Sequence, residues 1–175
     1  MVDTPLPEVW LRGPISGVPP LLQPVAHSLQ QCREELISKI SDLTSAQIWA
    51  TPGGGASVGF HVRHATGSLD RLFTYARGEQ LSPAQRAFLA AETQRDLAPQ
   101  VAVRLVAAFE EIVERALEQL KHTDESALLD ARGVGRAQLP STVLGLLFHA
   151  AEHTQRHLGQ IATTVRVVSA SETRG

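Results

Sequence analysis

The sequence predicts an all-α protein, a four-helix bundle preceded by an extended, proline-rich arm. Three observations carry that expectation. Four long segments repeat apolar residues at helical spacing, strand-like alternation is almost absent, and two longish connections separate the segments, as bundles allow. With 175 residues, 43% of them apolar and 19% charged, the chain suits one globular domain with a real core.

Residues 1–20 hold five prolines and two glycines around Trp10 and Arg12. Proline fixes φ and removes a donor, so this reads as an extended arm. It is either a mobile terminus or a strap that packs Trp10 over a pocket. A bundle domain over 21–168 follows, and residues 169–175 read as a frayed tail.

The first helix is predicted over Leu21 to Leu43, with Val25, Leu29, Cys32, Leu36 and Ile40 on its apolar face and His27 opposite, toward solvent. Thr51-Pro52-Gly53-Gly54-Gly55 breaks the chain. No Gly-Lys-Ser/Thr follows it, so it is a connection and not a phosphate loop. Ser57 is an N-cap candidate for a second helix from Val58 to Arg77, closed by Gly78. Ser82-Pro83 starts a short helix to Glu92. A third long helix runs from Leu97 to Lys121, its outer face acidic. Residues 122–139 connect it to a fourth helix, from Pro140 and Ser141 to Val168.

That last helix carries His149, His153 and His157, each four residues after the one before. Such a step drifts by only about 40° around a helix, so the imidazoles form a slanted column bordering the apolar face. A lone histidine there is most simply a hydrogen-bonded packing residue. Three in register gain nothing over leucines as packing and risk burying charge, whereas His at i and i+4 is a zinc-ligand geometry. On the second helix His61 and His64 border the apolar face in the same way. No other helix offers a ligand on the flank of its buried face.

The run H-x3-H-x3-H-L-G-Q-I, ending at Ile161, resembles the His-rich segment of the DinB/YfiT-like superfamily, and S-V-G-F-H-V-R-H-A-T-G resembles that family's histidine segment on the second helix. The likeness spans about 21–168 and implies the same four-helix bundle. It implies a divalent ion held by His64, His153 and His157. Leu158 stands where the family commonly has arginine. Relatives include transferases and isomerases that use low-molecular-weight thiols, and others grouped as metal-dependent hydrolases. The fold alone does not choose among these activities.

A site of neutral imidazoles leaves the ion its charge and open positions, able to acidify a water or thiol or to polarise a carbonyl. Zn²⁺ is expected, with Ni²⁺ or Fe²⁺ as the other ions that accept such ligands. His61 and His149 are either proton carriers beside the ion or packing residues. Gln160, one turn beyond His157, is placed to hydrogen-bond a ligand ring. Asp70, Glu110 and Glu152 all project outward, so no carboxylate is placed as a general base. The expectation is a metal-dependent thiol S-transferase or hydrolase acting on a small molecule; the alternative is a non-catalytic metal-binding module.

Net charge is −2 with acids and bases interspersed, which argues against a nucleic-acid partner. No run of about 20 apolar residues suggests a membrane span. A single cysteine and the lack of a signal-like start suit the cytoplasm. Phe148 falls on the polar side of the last helix, and Trp10 has no periodic partner. Stray aromatics of this kind mark contact surfaces, so a homodimer is expected.

Overall fold

A computed structural model describes residues 6–172, with side chains as far as residue 170. The arm is corrected from extended chain to short helical turns strapped onto the bundle. Two 3₁₀ turns, Val9–Leu11 and Pro20–Leu22, lead into α1 (Gln23–Ile40). The Val9 N–H donates to Gln31 Oε1 (2.8 Å), Arg12 pairs with Glu34 (2.9 Å), and the Gln23 amide binds the backbone of Ile15 and Val18. Val9 and Val18 are buried beneath these contacts. His27, expected in solvent, is partly buried, its Nε2 lying 3.0 Å from the Gly13 carbonyl oxygen.

Helix α2 (Ser45–Trp49) was not expected from the periodicity. Five residues are too few to show a 3.6-residue repeat, and the local signal is its cap: Thr44 and Gln47 satisfy one another's backbone N–H groups in a capping box. Helix α3 (Val58–Ala76) starts where Ser57 accepts the Phe60 N–H (3.1 Å). Helix α4 (Pro83–Ala91) opens on a second capping box, Ser82 with Gln85. Helix α5 (Val101–Lys121) begins four residues later than expected. Pro99 biases the residue before it away from helix, and Gln100 is left-handed at φ 58°.

The connection that follows is not structureless. Strands β1 (Ala131–Val134) and β2 (Leu139–Thr142) form an antiparallel hairpin, Gly133 opposite Pro140. Pro140 therefore sits in a strand and does not start the last helix. A two-stranded ribbon leaves each strand a free edge, where a missing N–H costs nothing. Helix α6 (Val143–Glu172) starts instead at Thr142, whose hydroxyl accepts the Gly145 N–H (3.0 Å). It passes the expected end at Val168; residues 173–175 and 1–5 lie outside those described.

The four long helices make the bundle, α1 and α3 each packing on both α5 and α6. Leu29, Leu36, Val62, Leu69, Val113, Leu120, Leu147 and Ile161 are fully buried among them. Residues of this size each contribute about 1.5–3 kcal/mol on burial, so the core fixes the α3–α6 pairing to which the histidines belong. Among the described residues, no helix is long and apolar enough to cross a membrane.

Candidate metal centre

Helices α3 and α6 run antiparallel, so one turn of α3 meets one turn of α6 with histidines on both. His64 faces His153, Nε2 to Nε2 at 3.1 Å, and His61 faces His157, Nδ1 to Nδ1 at 3.1 Å. His64, His153 and His157 each offer a ligand atom within 4.8 Å of the other two. Two nitrogens held about 2.1 Å from one ion, at the angles of tetrahedral or octahedral coordination, stand roughly 3.0–3.4 Å apart. The spacing of His64 and His153 matches. His153 Nδ1 is buried without a hydrogen-bond partner among the described residues, so the cluster holds a polar atom that the protein does not satisfy. The triad is thus capable of binding a divalent ion.

Electrostatics favour the neutral form of His61, His153 and His157. Burial, then the neighbouring His64, lowers the basicity of His61 and His153. The same causes, with His153 and His61 adding, push His157 down to about 4. Few protons compete for those lone pairs at neutral pH.

The carboxylate missing from the sequence reading is Glu92, at the end of α4 and only 4% exposed. His64 Nδ1 donates to its Oε2 (2.8 Å) and Arg71 to its Oε1 (2.6 Å). Burial pushes this carboxyl up, but the His64 and Arg71 hydrogen bonds outweigh it and hold the group below the usual carboxylate range. In sequence Glu92 stands in a polar run and looks solvated. The one usable signal was Gly67, a glycine inside a helix three residues after His64, where about 1 kcal/mol is lost relative to alanine.

The other expected site residues are placed as follows. His61 is buried against His157. His149 is exposed and bonds Glu152 through Nδ1 (2.7 Å), its ring 5.4 Å from that of His153. Gln160 is exposed and lines an open surface depression of about 420 Å³ with His61, Arg156, Gly159 and Thr163. Trp10 is not brought to the cluster: its turn packs on α1, its ring is 61% exposed, and its indole N–H donates to Glu8. Cys32 lies in the core, where burial, then Glu35, pushes its thiol up to about 12, so it is no nucleophile.

The DinB superfamily profile matches residues 28–161. The chain belongs to the DinB superfamily. No curated protein matches it. Among solved structures it is similar to a conserved protein from Enterococcus faecalis, at 19% identity over 86% of this chain and 98% of that one, with a TM-score of 0.66. It is similar to YfiT from Bacillus subtilis, described as a probable metal-dependent hydrolase with an unusual four-helix bundle topology (15% identity, 90% and 93% covered, TM-score 0.64). A DinB-like protein from Bacillus cereus aligns at 14% identity over 82% and 91%, with a TM-score of 0.61. At these identities the likeness is one of fold.

Proposed function

We propose that this DinB-superfamily protein is a metal-dependent enzyme acting on a small molecule, a thiol S-transferase or a hydrolase, with His64, His153 and His157 as ligands of one divalent ion. The observation that carries the reading is the meeting of three imidazoles in a cluster that water reaches, the His64 side chain being 25% exposed. An all-nitrogen ligand set suits Zn²⁺, and Ni²⁺ and Fe²⁺ accept it as well. When bound there, such an ion supplies Lewis acidity toward a thiol, a water or a carbonyl.

The depression beside His61 is where the substrate's remainder fits. Arg156 is the one charged group in its lining, and its guanidinium also holds Glu152 (2.7 Å). Gly159 lies in the middle of α6, and a Cβ there would meet nothing within 4 Å. No close neighbour requires that glycine, and its missing side chain widens the depression. The description of YfiT supports hydrolysis as one form of the chemistry.

A bridge between α3 and α6 would also stabilise the bundle, which supports the alternative, a non-catalytic module. The accessible cluster and the adjoining depression favour the enzyme. Reading the protein as cytoplasmic and homodimeric rests on its single core cysteine and on Phe148, 63% exposed on α6. Metal analysis of the purified protein, coupled to thiol-transfer and hydrolysis assays, tests the proposal. One equivalent of ion and a turnover lost in His153→Ala support it; full metal loading with no turnover across both assay classes favours the module.

A further inference from the structure

The carboxylate behind His64 occupies a seat that the fold makes specially for it. A Cβ at Gly67 would stand 2.6 Å from Glu92 Oε1, 2.7 Å from Arg71 Nη1 and 2.8 Å from the Phe88 ring. Real side chains do not approach that closely, so Glu92 reaches this position only because residue 67 has none. Helix α4 has no buried residue of its own, and Glu92, just past its last turn, is the buried attachment of that segment. A helix-interior glycine and a buried charge both cost stability; here they coincide on one side chain that touches the His cluster.

We propose that Glu92 is a positioning residue for the metal centre: it fixes His64 as the tautomer protonated at Nδ1, so that the Nε2 lone pair faces the cluster, with Arg71 and Gly67 holding the carboxylate in place. This rests on the reading of His64 as a metal ligand. An ionised carboxylate only accepts hydrogen bonds, so it admits only a ring that donates from Nδ1. The neutral ring then has its free lone pair on Nε2, the atom 3.1 Å from His153 Nε2. A carboxylate behind a ligating imidazole fixes the ring's orientation and raises its basicity toward the ion.

Glutamine separates this role from a structural one. It has the shape of Glu92, but Arg71 demands its oxygen, so the amide NH₂ turns toward His64 Nδ1. The ring must then accept at Nδ1 and carry its proton on Nε2, which blocks ligation. A merely structural Glu92 predicts the opposite, because glutamine keeps both hydrogen bonds.

The test is a competition titration of metal-free protein with Zn²⁺, run on wild type, Glu92→Gln and Gly67→Ala. Glu92→Gln is expected to bind about 10- to 100-fold more weakly, and to melt at a lower temperature without metal because the buried Arg71 loses its counter-charge. Gly67→Ala displaces the carboxylate without replacing any histidine or Glu92 itself and lowers affinity in the same direction; it carries the test alone if Glu92→Gln does not fold. With Co²⁺ in place of Zn²⁺, the visible absorption bands change in both variants. Wild-type binding with unchanged affinity and spectra in the variants overturns the role of Glu92 alone. A wild-type protein that takes up no ion overturns the metal-centre reading and this one with it.

Discussion

His61 and His157 face each other across α3 and α6 with their Nδ1 atoms 3.1 Å apart. One ring must donate and the other accept, so the pair carries one proton between the two facing atoms. If His157 binds an ion through Nε2, its Nδ1 is the donor and His61 the acceptor. His61→Ala then leaves a buried donor unsatisfied, at a cost of about 1–3 kcal/mol. Chemical denaturation is expected to show that loss, while metal affinity falls less than in His153→Ala.

Acid should destabilise the metal-free protein over a defined range. His157 titrates near 4 in the fold against 6.5 as a free side chain, and His61 and His153 are also lowered. Between about pH 4 and 6.5 the unfolded chain binds protons that the folded chain does not, so stability falls as pH drops through that window and is level above it. For His157 alone the loss between pH 7.5 and pH 5 is on the order of 2 kcal/mol. Urea midpoints at pH 7.5 and pH 5 measure it; equal midpoints would contradict the burial of these rings.

Chelation should act through the same helices. An ion shared by α3 and α6 binds only the folded chain, and at a hundredfold excess over its dissociation constant it adds about 2.7 kcal/mol. Melting in excess chelator is expected at a lower temperature than with the ion present. An unchanged melting temperature with metal loss confirmed would mean that the ion does not tie the two helices together.

Gly159 separates stability from activity. Gly159→Ala should stabilise α6 by about 0.5–1 kcal/mol, since a Cβ there meets nothing within 4 Å. Gly159→Phe should keep the ion and lower kcat/KM by filling the depression beside Arg156 and Gln160. Full activity in the phenylalanine variant would place the substrate elsewhere.

Deleting residues 1–18 should cost stability and leave the metal centre alone. The deletion removes the buried Val9 and Val18 and the bonds to Gln31 and Glu34, worth at least about 2 kcal/mol together. Metal affinity is expected to be unchanged because Trp10 packs away from the cluster; a tenfold loss would return the arm to the site.

The sequence by itself determined the four long helices and the face each one buries, because a 3.6-residue apolar repeat over many turns admits no other packing. His153 and His157 were legible for the same reason: four residues along a helix is one turn, whatever else the chain does. Elements too short to repeat escaped, namely α2 at Ser45–Trp49 and the hairpin that takes Pro140 out of the last helix. The resemblance implied only that His64 joins His153 and His157; that His64 faces His153 and His61 faces His157 was decided by the antiparallel packing of two helices about ninety residues apart. Glu92 belonged to the tertiary structure alone. A carboxylate becomes a buried partner of His64 only where Arg71 neutralises it and Gly67 clears its space, and those conditions meet across a gap of 21 residues or more that no local pattern spans.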